Sequence, residues 1–468
     1  MLKEAIAVFD IGKTNKKLLI YDQNFKVIDQ KSIHLDEIED EDGSPTEDLD
    51  LLVLWMVSSF AEKLQSYEYK IVALNFSCYG ASLVHLDSQG NRVGTFYNYL
   101  KSTSAEFYQN LYHSYGGEEV FAAKTASPVL QFLNSGLQLY WLKYNRTSHW
   151  NDISTSLHFP QYLHYKFTKQ LATDITSIGC HTALWDFDKD NYHKWVEDEG
   201  LNFPPIQPND YTVNIEEKIT NHDIKVGIGI HDSTASVQPY NTISDGAPYI
   251  LISTGTWAIN MNPSFEGQLT TEQLKKDCLL NINTNGKKIL SSRYMLGRVH
   301  DVYCKYLQDL FHLEKDFYQF VTFDEALLMQ AWENVNEGKR YIHNLMAYTS
   351  EAIDISIPEG HSVDALYHQI MLELTLKEIE QIQEVMDDSV RYEKIFISGG
   401  FIYNNIFCKT IATFFDEIEV STLSLENSSA LGAALMVTPT HWNKKLEYKE
   451  YKVRSVTCFT AVDKIKID

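Results

Sequence analysis

The chain opens in the same way twice, and this duplication limits its fold more than any other feature. Apolar strand-like runs at residues 5–11, 17–22 and 26–35 are separated by turns carrying Gly12 and Asn24. Near mid-chain, strand-like runs at 249–253 and 257–261 flank a second glycine turn, Thr254-Gly255-Thr256. The first hairpin leads into apolar residues at helical spacing (Leu52, Trp55, Phe60, Leu64) and then a strand at 71–76. The second leads to a long helical stretch at 362–386, a strand at 394–398, a helix at 404–415, a strand at 417–421 and a helix at 428–437. Antiparallel strands followed by a helical crossover to another strand predict an α/β layer plan with mixed sheets. Asp245-Gly246-Ala247-Pro248 is the turn-rich boundary, giving expected domains of 1–244 and 245–468.

Charge excludes several partners. Sixty-three acidic against forty basic residues give a formal net charge of −23. Such a surface repels nucleic acid and anionic membrane, so neither is an expected partner. A polyanion could bind only with local help from backbone N–H groups, a cation or a divalent metal. The first residues carry no basic segment or small-residue cleavage site, and the apolar stretch 430–437 is too short to span a bilayer, so a cytoplasmic protein is expected. Six dispersed cysteines contain no C-x-x-C pair, which predicts buried thiols in a reducing compartment. The acidic run 36–48 reads as a solvated loop.

Five segments carry candidate chemistry. Asp10-Ile11-Gly12-Lys13-Thr14-Asn15 places a carboxylate at a strand end beside a glycine turn, which suits hydrated Mg²⁺ and a phosphate chain, with Lys13 as a point charge. An ordinary hairpin is the competing reading. Gly12-Lys13-Thr14 also imitates the end of a P-loop, but Ala7 stands where the cradle needs its first glycine. Ser253-Thr254-Gly255-Thr256-Trp257 supplies hydroxyls at an equivalent turn, so the two turns could grip one phosphate chain from both sides. Gly227-Ile228-Gly229-Ile230-His231-Asp232 leads an aspartate to the start of a short helix, as a proton acceptor for an attacking hydroxyl or simply as an N-cap. Ser398-Gly399-Gly400 ahead of Asn404 lets a flat ring or a phosphate approach the backbone, or merely eases packing. Phe76-Ser77-Cys78-Tyr79-Gly80-Ala81-Ser82 is a sugar platform or a core aromatic in a turn.

Taken in order, these segments resemble the FGGY carbohydrate kinases over most of the chain. Leu139-Tyr140-Trp141-Leu142-Lys143 is similar to that family's K-L-x-W-L-K element. Pro160-Gln161-Tyr162-Leu163, with Thr173-Asp174, is similar to its P-D-Y-L stretch, and Ala430-Leu431-Gly432-Ala433-Ala434 to its closing helix. The resemblance implies two actin-like (ribonuclease H-like) lobes around a cleft, ATP and Mg²⁺, and a sugar acceptor. It implies that Asp10 and Asp232 organise the metal and that Asp232 is the catalytic base. Lys13 and Thr14 would hold one side of the phosphates and Thr254, Gly255 and Thr256 the other. Gly399, Gly400 and Asn404 would lie against the adenosine, and Tyr79, Gly80, Ser82 and Asp232 would face the sugar. His231-Asp232 and Tyr79-Gly80 point to the rhamnulokinase and fuculokinase branch, hence to a ketose such as L-rhamnulose or L-fuculose. Departures from the pattern are Lys13, Lys17, Gln138, Gln161, Ser82 and Phe401. A non-catalytic sugar or nucleotide sensor on the same scaffold is the alternative, and a homodimer is allowed.

Overall fold

The structure, a computed structural model, describes residues 2–443, 446 and 454–458, so the end of the expected 245–468 half lies partly outside the described residues. Two mixed sheets dominate it. The first half contributes β1 (Lys3–Ile11), β2 (Lys16–Tyr21), β3 (Val27–Ile33), β4 (Tyr69–Cys78), β5 (Thr212–Asn214), β6 (Lys225–Gly227) and β7 (Ile230–His231). Their order is β5-β6-β4-β1-β2-β3, with β7 also paired to β4. β1 to β3 are antiparallel neighbours, whereas β4 runs parallel to β1, as the crossover through α1 (Leu49–Lys63) requires. The helices α2 (Phe159–Thr168), α3 (Asp232–Ala235) and α4 (Gln238–Ser244) are among those that pack in this half.

The second sheet repeats the plan. It contains β8 (Tyr249–Thr254), β9 (Ala258–Phe265), β10 (Leu279–Ile282), β11 (Lys288–Tyr294), β12 (Lys394–Gly399), β13 (Glu419–Thr422) and β14 (Arg454–Ser455), ordered β10-β11-β9-β8-β12-β13-β14. β8 and β9 form the antiparallel hairpin, and β12 lies parallel to β8. The helices of this half include α5 (Leu296–Phe311), α6 (Val363–Val385), α7 (Asn405–Phe414) and α8 (Ser428–Met436).

Strand periodicity explains how the layers join. In β1, Ala5, Ala7, Phe9 and Ile11 point one way, to a core with Trp55, Phe60 and Phe167 from α1 and α2. Ile6 and Val8 point the other way, to a core shared with Ala430, Ala433 and Ala434 of α8. β8 divides in the same manner, Tyr249 and Leu251 joining that shared core and Ile250 and Ile252 the outer one. Both central strands are therefore buried on both faces, and α4 and α8 form the layer between the sheets. Residues between β4 and β5 reach the second sheet at its edge, where Ile282 N–H donates to Gly179 O at 2.6 Å and Lys275 lies 3.7 Å from Glu119. No helix among the described residues is long and apolar enough to cross a membrane.

The expected strands and helices are present with small shifts at their ends. Two expectations are corrected. The acidic run 36–48 is not simply solvated: Asp40 and Glu47 are buried and paired with Lys101 and Lys16. Of the six cysteines, Cys458 is exposed, while the other five are buried free thiols.

One buried carboxyl sets a pH limit on stability. Glu378 of α6 is fully buried with both oxygens unpartnered by any full hydrogen bond, and burial pushes its pKa up from 4.5 to about 8. Folding thus favours the protonated acid. Its contribution is complete below about pH 4.5 and is lost as pH rises towards about 8, a cost of order a few kcal/mol. Glu378→Gln keeps the neutral shape, so its melting temperature should match wild type at pH 5 and exceed it at pH 8.5. Equal melting curves at both pH values would contradict this.

Candidate active site

Sheet register brings the two aspartates together. Asp10 is opposite Ser77, and Ser77 is opposite Ile230, so Asp10 and the His231-Asp232 step lie at the carboxyl ends of two parallel strands that flank β4. Such strand ends are where open α/β sheets bind ligands. Asp10 accepts a hydrogen bond from Ser429 Oγ at 3.0 Å, at the start of α8. Burial raises the Asp10 pKa above its ordinary value; the Ser429 bond opposes this and the Asp232 charge adds to it.

Asp232 begins α3, one residue inside the helix, so it is not the N-cap; that place belongs to His231. Asp232 Oδ1 accepts from Ser233 N–H at 2.6 Å and lies 3.4 Å from His231 Nε2. The side chain remains 32% exposed. Its pKa is nonetheless raised, chiefly by burial, with His231 and the Ser233 bonds opposing. The glycine-rich approach is tied down by Asn75, whose Oδ1 accepts from Gly229 N–H at 3.0 Å while its Nδ2 donates to Ala433 O at 2.8 Å. The carbonyl of Gly229 also accepts from Gln161 Nε2 at 2.9 Å. Gln161 is therefore a backbone anchor for the Asp232 segment. Gln138 plays a matching part, donating to Ala81 O and Phe132 O, each at 2.8 Å.

On the expected sugar side, Gly80 lies against the ring of His231, where a Cβ would come within 2.8 Å of Nε2. Tyr79 packs its ring between Tyr99 (5.8 Å) and Phe159 (5.1 Å), and its hydroxyl feels the charge of Glu47. Tyr79 and Ser82 are both buried, so they support this wall from behind and only Gly80 of the three is partly open. Lys13 departs from expectation. It does not stand free for phosphate but is ion-paired with Glu37 and lies 3.6 Å from Glu47. Thr14 is exposed at the tip of the turn.

The second turn builds the other wall. Gly399 has φ +84, and a Cβ there would sit 1.7 Å from Thr254 O, so only glycine admits this approach of β12 to β8. Thr254 Oγ1 donates to Ser398 O and accepts from Phe401 N–H at 3.0 Å. That hydroxyl holds the two turns together. Gly255, Thr256, Gly400, Phe401 and Asn404 line a cavity of about 780 Å³. Asn404 caps α7 through Phe407 N–H at 3.1 Å and donates to Tyr367 OH at 3.0 Å.

Sequence reasoning missed much of this cavity. His300, Tyr318 and Tyr367 join Phe401 as its ring-lined part, with His300 4.8 Å from Tyr318 and 5.4 Å from Phe401. A smaller cavity of about 200 Å³ has His231, Ser233 and Thr234 on one side and Asp277, Ser292 and Arg293 on the other. The Asp232 segment therefore faces the second sheet across a cleft. Ser429 and Glu47 were also missed. The surplus of lysine at 13 and 16 against an acidic run was a usable signal, but the pairing partner was not readable.

Comparison with known proteins places the chain in a family. Residues 5–199 match the N-terminal domain model of the FGGY family of carbohydrate kinases, and residues 246–445 match the model for the carbohydrate kinase FGGY C-terminal domain. A rhamnulokinase of Yersinia pestis is 25% identical over 237 residues, 48% of this chain and 46% of that protein. The chain is thus matched to less than half the length of the rhamnulokinases. A xylulose kinase of Staphylococcus epidermidis is 22% identical, with 99% of this chain and 92% of that protein covered. Among solved structures, a carbohydrate kinase from Novosphingobium aromaticivorans superposes with a TM-score of 0.80 at 20% identity, covering 98% of this chain and 95% of the other. A xylulose kinase from Lactobacillus acidophilus gives 0.74 at 16% identity, covering 98% and 94%. The fold is the two-lobed, actin-like one of these kinases, and the chain belongs to the FGGY family of carbohydrate kinases.

Proposed function

We propose that the protein transfers the γ-phosphoryl group of ATP to a hydroxyl of a ketose such as L-rhamnulose or L-fuculose. The observation that carries this reading is the pair Asp10 and Asp232, close enough for their charges to interact, at the ends of two strands that flank β4, in a protein whose second half holds a glycine-turned cavity of about 780 Å³. Asp232 takes the proton of the attacking hydroxyl; a new O–P bond forms as the bond from the γ-phosphorus to the bridging oxygen breaks, and ADP leaves. Thr14, Gly255, Thr256 and Gly400 are the proposed phosphate neighbours, while Gly399 and Thr254 shape that wall. The ring-lined cavity with Asn404 takes the adenosine. Gly80 and His231 face the sugar, backed by Tyr79 and Ser82.

Mg²⁺ fits the donor set. No group of three or more His, Cys, Asp or Glu side chains is poised for a metal among the described residues. Mg²⁺ characteristically keeps its waters and takes only one or two carboxylates together with phosphate oxygens. Asp10 and Asp232, whose charges oppose each other, are the groups that would hold it. The ion would neutralise charge on the phosphates. We assign residues 1–244 to the sugar lobe and 245–468 to the nucleotide lobe.

ADP release in the presence of Mg²⁺ and ATP tests the reading against L-rhamnulose, L-fuculose, D- and L-xylulose, L-ribulose, D-fructose and glycerol. Release is expected with a ketose at least tenfold above the no-sugar rate. ATP binding without release for any acceptor would favour a sensor on the same scaffold.

A further inference from the structure

We propose that Lys13 faces the acceptor sugar instead of the phosphates, and that with Glu37 it forms a charge-balanced wall that reads sugar hydroxyls and excludes sugar acids. This inference rests on the sugar-kinase reading above.

The hairpin turn fixes where Lys13 points. Gly12 N–H donates to Asn15 O at 2.9 Å, closing the turn and leaving Thr14 and Asn15 exposed at its tip. Lys16 is buried, and its Nζ donates to Lys13 O at 2.8 Å and to Glu47 at 3.0 Å. The Lys13 backbone is thereby held, and its ammonium reaches Glu37 and approaches Glu47. Glu37 in turn accepts from Asn98 Nδ2 at 3.4 Å, which also donates to Pro45 O at 3.1 Å. The charge of Glu47 acts on the Tyr79 hydroxyl, and Tyr79 packs edge-on against Tyr99. Tyr79 is followed by Gly80, which lies against the ring of His231 beside Asp232, so the pair of Lys13 with Glu37 and the proposed base border one wall; the Tyr99 hydroxyl feels the charges of both Lys13 and Asp232.

The charges decide the ligand class. Lys13 and Lys16 balance Glu37 and Glu47. Asp10 and Asp232, against Lys17, leave the neighbourhood negative. A carboxylate on the acceptor would enter a negative site whose nearby ammonium groups are already paired. A neutral hydroxyl suits it better, accepting from Lys13 while donating to Glu37. The Lys13 and Glu37 side chains are 26% and 41% exposed, open enough to meet a ligand without rearrangement of the core.

The test compares wild type, Lys13→Met and Glu37→Gln. Steady-state kinetics use the best ketose of the panel above and D-gluconate, and calorimetry measures Mg²⁺-ATP binding. KM for the ketose should rise at least tenfold in both variants, with ATP affinity within twofold of wild type and no turnover of D-gluconate by wild type. Three results would overturn the inference while leaving the kinase reading intact: tenfold weaker ATP binding in Lys13→Met, an unchanged ketose KM in both variants, or D-gluconate as a better substrate than the ketoses. A wild type that binds ATP yet phosphorylates no sugar would instead overturn the kinase reading, and this inference with it.

Discussion

Asp232→Asn is expected to lower turnover about 10²- to 10⁴-fold, the range typical of a positioned general base. Sugar affinity should change by less than about threefold, since the proton transfer that the substitution abolishes belongs to the transition state. The change conserves shape. The asparagine oxygen can still accept from Ser233 N–H, now 2.6 Å from Asp232 Oδ1, so α3 should start in the same place. What disappears is the capacity to take a proton. The raised pKa of Asp232 adds a pH signature in the wild type. A base works ionised, so activity should fall as pH drops through that pKa, and the acid limb of kcat/KM should lie above the ordinary aspartate value of 3.8. A mutant with near wild-type turnover would remove Asp232 from the base role, and an acid limb below 3.8 would contradict the effect of its surroundings.

Gly399→Ala should have the second-largest effect, through a different cause. Its φ of +84 is strained for any residue with a Cβ, and that Cβ would overlap Thr254 O at 1.7 Å. Neither neighbour can yield easily, because β8 and β12 are paired in register at Thr254 and Gly399. Strain and overlap of this kind cost together about 2–4 kcal/mol. The turn that includes Phe401 N–H and Thr254 Oγ1 must shift, and with it Gly400 and Phe401 on the cavity wall. A lower melting temperature and at least tenfold weaker ATP binding are expected. Unchanged ATP affinity in calorimetry would show that this turn does not shape the nucleotide site.

Much of this architecture was legible because strands buried on both faces leave continuous apolar runs. Residues 5–11 and 249–253 carried that signal, and their glycine turns placed the two hairpins. The hairpin of β10 and β11 was not anticipated, since Asn281, Ser291 and Ser292 interrupt its apolar pattern. Asp10 and Asp232 could be picked out individually, yet their proximity depends on both strands registering against Ser77 of β4, which is a tertiary fact. The aromatic lining was hidden for a related reason. His300, Tyr318, Tyr367 and Phe401 come from separate segments and look like ordinary core residues one at a time. The partners of Lys13 and Thr254 could not be read from the sequence because they are distant along the chain. Glu37 lies 24 residues from Lys13, and Ser398 lies 144 residues from Thr254. The glutamines at 138 and 161 looked like lost function, but their amides hold Ala81 and Gly229, backbone on either side of the proposed sugar wall.

Phosphoryl transfer to a sugar can be followed through the label of [γ-³²P]ATP, with the best ketose of the panel as acceptor. One labelled, acid-stable sugar phosphate should form per ADP released, with transfer abolished or nearly so in Asp232→Asn. Label appearing only as inorganic phosphate, at a rate indifferent to sugar, would contradict the kinase reading.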